Sequence, residues 1–421
     1  MKNKNLSIQQ LSIRFIVLLL SGLFLLLLWS AHATAATRTT EDDPSSFLPI
    51  IYSLPAPTPI PAVPELVNTL ELPGAQCPNF VGVNETSGYI YVANNFSNNV
   101  SILSETNLVT TVPSGGDWPT KIAADPNSDR IFMTNLHVTS GVEPPSKLAM
   151  FRNTGIANVY NQYYEGHTPL YNSYNNYLYV TDLDSDIRVF DAQGSGLTFL
   201  TDIGHSQGVN GWITSATFDP DTGLVYAGSW DYGQVHVIDG TQVIATISSK
   251  TWGPAALALD RENGYLYVVG QEVSNRPEGY PNYNVTVFNA HPPFQFLGGF
   301  VTSNSSISVA WDPIGGYVYV SNPLENSVSV FKGLQHIRTT AVSANPRYLA
   351  VHPETGYAFV PSSNGNTITI FKDGQIVKTV ANQGVSPWAV GINTVTDYVY
   401  VANRGREVDF QCHNASITIL R

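Results

Sequence analysis

The aromatic residue at the centre of the stretch GYIYVAN (88–94) returns as Tyr91, Phe132, Tyr179, Tyr226, Tyr267, Tyr319, Phe359 and Tyr400, at intervals of 41, 47, 47, 41, 52, 40 and 41 residues. A period of roughly 40–50 residues marks stacked or circular repeats, because one such unit cannot bury its own apolar face. Eight copies therefore constrain the fold more than any single motif does.

Each unit reads as four short strands. Strand A falls at 121–124, 257–259 and 348–351, strand B at 89–93 and 266–269, strand C at 100–103 and 235–238, and a looser strand D at 108–112 and 243–247. In six units a proline stands six residues before a turn-opening residue: Pro78 before Asn84, Pro119 before Asp125, Pro169 before Asn175, Pro254 before Asp260, Pro346 before His352, and Pro387 before Asn393. Gly88, Gly223, Gly264, Gly316 and Gly356 then close the A–B turns, where glycine accepts the positive φ that a tight hairpin requires.

Strand B is apolar at successive positions, as in Tyr89-Ile90-Tyr91-Val92, so both of its faces need cover; a sheet with one wet face would alternate apolar with polar. Sheets stacked face to face around an axis supply that cover. The last unit stops at strand C, near 416–420, and a spare strand at 66–72 precedes the first unit. The expected fold is all-β: an eight-bladed β-propeller of four-stranded blades, with the N-terminal strand closing the last blade. An open superhelical stack is the alternative, and it would be elongated.

Ahead of the repeats, Lys2, Lys4 and Arg14 precede the apolar run Phe15–Trp29 and the small-residue pattern Ala33-Thr34-Ala35. Residues 1–36 thus read as a secretory signal, with an uncleaved anchor as the alternative. No membrane span is expected once the signal is cleaved. Residues 37–64 form a linker with seven prolines between Pro44 and Pro64, a density that favours an extended spacer, with a disordered leftover before the domain as the alternative. The domain proper is 65–421.

Losing the signal removes three positive charges and no acids, moving the net charge from −12 to about −15. Nucleic acid is excluded as a partner, since no cluster of Lys and Arg offers a phosphate-binding face. The chain is expected to be a monomer.

The motifs Tyr91-Val-Ala-Asn94, Tyr179-Val-Thr-Asp182, Tyr319-Val-Ser-Asn322 and Tyr400-Val-Ala-Asn403 resemble the signature of the YVTN β-propeller repeat family over roughly residues 65–421. The resemblance implies a secreted or cell-surface protein and says little about activity. Members are commonly seven-bladed, so the eighth unit departs from the pattern.

Cys77 and Cys412 are the only cysteines. Cys77 precedes strand A of the first unit, and Cys412 lies in the B–C loop of the last. Propeller topology puts D–A and B–C connections on one face and makes blades 8 and 1 neighbours, so a disulfide at the seam is expected. On the chain-entropy model such a bridge contributes about 5 kcal/mol at most.

That same face collects Trp118, Trp212, Trp252 and Trp388 at D–A connections and Trp230 just past a strand B, together with long B–C connections near 136–147, 271–284 and 404–414. Loops on a rigid scaffold concentrate function. The candidate ligand-binding face is therefore Trp118, Trp212, Trp230, Trp252 and Trp388 with His167 and Arg404, and inter-blade packing is the competing role for the tryptophans. No cofactor is expected. The histidines, including His205 and His413, lack metal-ligand spacing, and Asp182-Leu-Asp184-Ser-Asp186 lacks the glycine and terminal acid of a calcium loop, so no metal is expected either. Sequons occur at Asn84, Asn95, Asn99, Asn284, Asn304 and Asn414.

Three functional classes remain. The leading one is a non-catalytic extracytoplasmic scaffold binding a cell-envelope glycan, peptide or protein. The second is a secreted hydrolase or lyase, lactonase-like, using polar residues at the central funnel such as His167, Asp182 and Arg404. The third is a structural surface-layer component.

Overall fold

The computed structural model describes residues 62–136, 146–161, 166–271, 277–408 and 411–421; the proposed signal and most of the proline-rich linker lie outside them. Eight four-stranded antiparallel sheets, each ordered A to D, form the β-propeller, with blades 2 to 7 at 119–161, 166–203, 213–248, 254–300, 308–341 and 350–381. Blade 1 comprises Pro78–Asn84, Tyr89–Asn94, Asn99–Ser104 and Asn107–Pro113. Blade 8 comprises Pro387–Asn393, Tyr398–Asn403 and Ser416–Leu420, and takes its fourth strand, Leu66–Glu71, from the opposite end of the chain.

That borrowed strand is fully registered. Thr69 faces Thr418 and Glu71 faces Ser416, while Glu65 and Arg421 exchange backbone hydrogen bonds at 2.9 and 3.0 Å. The Cys77–Cys412 disulfide, with Cα atoms 5.2 Å apart, fastens the same seam on the D–A face. Its second cysteine sits on a small ribbon, Arg406–Val408 paired with Gln411–His413, inside the B–C connection of blade 8.

Strand B is buried on both faces, as its unbroken apolar run requires. Tyr91 and Ala93 pack against Ile131, Met133 and Phe151 of blade 2. Ile90 and Val92 turn the other way, onto Tyr400, Ile417 and Ile419 of blade 8. Each of the eight joints holds one such apolar cluster, and the repeated central aromatic is wholly buried in every one. Burial of a side chain that size contributes roughly 1.5–3 kcal/mol.

The hydroxyl explains why this aromatic is usually tyrosine. Tyr91 donates to the Asn153 carbonyl at 2.6 Å, Tyr179 to Gly240 at 2.8 Å and Tyr226 to Ala290 at 2.5 Å, in each case on the C–D turn of the next blade. Phe359 faces blade 8, where strands C and D come from the two ends of the chain and no C–D turn exists. At Phe132 the reach into blade 3 is made instead by Arg130, which donates to the Gly194 carbonyl at 2.8 Å and pairs with buried Asp125 at 2.6 Å.

At the A–B turn the residue seven before each aromatic accepts a backbone amide from the turn. Asn84 takes Ser87, Asp125 takes Asn127, Asp219 takes Asp221, and His352 substitutes its Nδ1, accepting from Glu354 at 3.3 Å. This rule corrects the expectation for blade 3. The turn residue there is Asn172, which accepts from Tyr174, and strand A starts at Gly166, not Pro169. Asn175 lies within the turn and donates to the Tyr179 hydroxyl.

Nearest the axis, strand A carries small residues where neighbouring blades converge: Gly82, Ala123, Ala258, Ala310, Ala350 and Gly391. A Cβ on Gly82 would collide with Ile122, and one on Gly391 with Val81.

Candidate functional site

Pro78 pairs with Asn94, so strand A begins and strand B ends at the same edge, and the D–A and B–C connections share one face of the ring. At this edge the pairing slips between Pro78 and Phe80, Gly166 and Thr168, Ile213 and Ser215, Pro254 and Ala256, and Pro387 and Ala389. A bulge of this kind leaves one residue unpaired and re-aims its side chain. The skipped residues are Asn79, His167, Thr214, Ala255 and Trp388, and all but Thr214 line a central cavity of about 430 Å³. Lys121 of blade 2, Ser215 of blade 4, Ile307 of blade 6 and Tyr348 of blade 7 complete it, so every blade contributes.

The wall is uneven. Blades 4 to 6 supply Ser215, Ala255, Ala256, Leu257 and Ile307, a small and mostly apolar surface. Across the mouth stand Lys121, His167, Tyr348, Trp388 and Arg404. The Lys121 ammonium donates to Thr168 Oγ1 at 2.9 Å and to the Thr214 carbonyl at 3.1 Å. Burial pushes its pKa down to about 8. His167 Nδ1 lies 3.0 Å from Thr168 Oγ1; burial, and then the neighbouring Lys121, hold its pKa well below the usual imidazole range, so the ring is neutral near pH 7.

Around Trp388 the packing is cationic. The guanidinium carbons of Arg347 and Arg404 lie 3.8 and 4.4 Å from the ring centroid, and the Tyr348 ring is 6.3 Å away. Such stacking contributes on the order of 1 kcal/mol or more per pair when partly desolvated. Burial pushes both arginines below their ordinary pKa values, while Tyr348, although 39% exposed, is raised above its own by desolvation at its crowded hydroxyl end. Glu407 stands 3.7 Å from Arg404 and is half exposed.

Of the seven residues expected on the ligand-binding face, the structure brings His167, Trp388 and Arg404 into one cavity. The other four tryptophans are spread around the rim. Trp118 and Trp212 are exposed, Trp118 lying 6.4 Å from Phe96. Trp230 covers Gly253, and Trp252 meets the edge of Tyr280 at 5.5 Å. Parts of the three long B–C connections lie outside the described residues.

Asp182, grouped with His167 and Arg404 as a possible catalytic set, is not among the residues lining the cavity. It is buried in its own hairpin, accepting the Asp184 and Asp186 amides at 2.8 and 2.9 Å, and burial pushes its pKa up to about 7. Among the described residues no group of three or more His, Cys, Asp or Glu is arranged to hold a metal ion. Two sequon asparagines, Asn84 and Asn284, are fully buried.

Sequence reasoning passed over Lys121, Arg347 and Tyr348. Their signal was available in the repeat itself: they stand one or two residues after Pro119 and Pro346, where the units stop resembling one another. No protein-family model matches the chain, and no curated protein matches it.

Proposed function

We propose that the protein is an extracytoplasmic, non-catalytic binding propeller that receives its ligand, a cell-envelope glycan, peptide or protein segment, at the mouth of the central channel. The observation that carries this reading is the cavity of about 430 Å³ to which all eight blades contribute, a volume in the range of small-ligand sites. A seam disulfide fits an oxidising compartment, as do the signal-like leader and the YVTN-like motifs. Of the residues named for a hydrolytic set, Asp182 serves its own hairpin instead of the mouth.

Pull-down from solubilised envelope material, comparing the wild type with a Trp388→Ala, Arg404→Ala double variant, tests the assignment. The wild type should retain a ligand that the double variant loses. Equal retention by both would remove the mouth from consideration, and turnover of a lactone or glycoside by the wild type would restore the enzymatic alternative.

A further inference from the structure

The chain is acidic, with a net charge of −12 and only 20 Lys and Arg. Nevertheless Lys121 and Arg404 converge on one cavity, Arg347 stacks beside them on Trp388, and the described lining includes no Asp or Glu. The Lys121 ammonium has three protons to donate and two acceptors, Thr168 Oγ1 and the Thr214 carbonyl, both uncharged. An ammonium withdrawn from water without a counter-charge is costly. Arg347 makes its side-chain hydrogen bond to Ser363 Oγ at 3.3 Å, also uncharged, and repels Arg404 across the same indole. Facing these cations is a wall of Ala255, Ala256, Leu257 and Ile307 that can contact only an uncharged body.

Resting on the mouth as the binding site, we infer that its ligand is an organic oxyanion, with a carboxylate or phosphate head held between Lys121 and Arg404 and an uncharged body against blades 4 to 6. The fold carries the cost of a lysine whose partners are all neutral and of two arginines that repel each other, only Arg404 having a carboxylate, Glu407, nearby, and an anionic head would offset that excess of positive charge. Arginine supplies the paired donors that planar oxyanions accept, and lysine the point charge. His167 and Tyr348 add uncharged hydrogen-bonding groups at the same wall. The depressed pKa of Lys121, about 8, makes the site sensitive to pH on the alkaline side. Of the other titratable groups there, His167 is held below its ordinary pKa and Tyr348 above its own, so both stay uncharged from pH 7 to pH 9, and Glu407 stands 3.7 Å from Arg404.

Three probes of similar body test this by titration calorimetry at pH 7 and low salt: glucuronate, glucose 6-phosphate and glucose. At least one acid should bind about tenfold or more tighter than glucose, and the better of the two identifies the head. Lys121→Met and Arg404→Gln should each weaken that acid about tenfold or more; Lys121→Met should do so without lowering the melting temperature, while Arg404→Gln, which gives up its stacking on Trp388, should lower it slightly. Moving to pH 9 should weaken it in the wild type and not in Lys121→Met. Glucose binding as tightly as the acids, acids indifferent to both substitutions, or no acid binding below about 10 mM overturns the anionic class. The first of these outcomes, with binding lost in Trp388→Ala, leaves the mouth as the binding site. An envelope ligand retained by the Trp388→Ala, Arg404→Ala variant sinks the site itself.

Discussion

At the turn end of strand A the eight blades carry Asn84, Asp125, Asn172, Asp219, Asp260, Asp312, His352 and Asn393; five residues earlier, at the channel mouth, they carry Asn79, Thr120, His167, Thr214, Ala255, Ile307, Arg347 and Trp388. The same strand thus ends in near-identity and begins in near-total variety. At the turn every blade solves the same problem, pairing an orphan amide, and only an acceptor of the right reach will do. At the mouth five of these side chains sit at bulges that free them from the ladder, so packing imposes no common choice there.

Four measurements break or sharpen that contrast. Asn84→Ala should be the most damaging. The Asn84 side chain donates to the Ser128 and Arg130 carbonyls at 2.8 and 3.1 Å as well as accepting from Ser87, and leaving several buried groups unpaired should cost about 3 kcal/mol, read as a lower urea midpoint. An unchanged midpoint would mean that the turn end is no more constrained than the mouth.

Second, the body of a blade and the mouth should respond to opposite ends of the pH scale. His236, fully buried in strand C of blade 4 with Nδ1 3.0 Å from Thr246 Oγ1, is pushed down to about 4 by burial. The unfolded chain binds a proton near pH 6.5 that the folded chain refuses until near 4, so this contribution is complete above 6.5 and disappears as pH falls to 4. The loss is on the order of 3 kcal/mol. His236→Gln should flatten the acid limb of a stability profile, and an unaltered limb would refute the assignment.

Third, Tyr226→Phe should cost about 1 kcal/mol, the worth of its hydroxyl's bond to the Ala290 carbonyl in the next blade. Chemical denaturation is sensitive enough to detect it, and a neutral result would leave the tyrosine preference unexplained. The smallest effect has the reverse sign. Replacing the mouth cation in Lys121→Met should leave melting unchanged or raise stability by up to about 1 kcal/mol, because a charge with only neutral partners leaves a half-buried wall. Marked destabilisation would make Lys121 a structural residue and align the mouth with the turn.

Much of the ring was legible because its determinants repeat. The double-sided apolar run of strand B announces two neighbours per blade, and the orphan strand near 66–72 announces where the circle closes. Blade 3 misled because Pro169 happens to stand six residues before Asn175; the constant seven-residue step from turn residue to aromatic selects Asn172. The site was only partly legible. Trp388, His167 and Arg404 were visible as unusual residues on one face, and so were Trp118, Trp212, Trp230 and Trp252, which the ring disperses around its rim. Lys121 and Arg347 are ordinary residues in a linear sequence. Only the circular arrangement, which places residues hundreds of positions apart around one hole, brings Lys121 into one cavity with Arg404 and Arg347 onto Trp388.

Giving the first-made strand to the last blade also imposes an order on biogenesis. Residues 66–71 leave the ribosome, or an export channel, long before their partner at 416–420 exists; at about 5–20 residues per second the delay is roughly 20–70 s. Throughout that interval the leading segment has no sheet to join, while later units can already associate pairwise behind it. Closure therefore waits on residues 416–420, and a chain cut short before them would strand an otherwise assembled arc with both of its rims open.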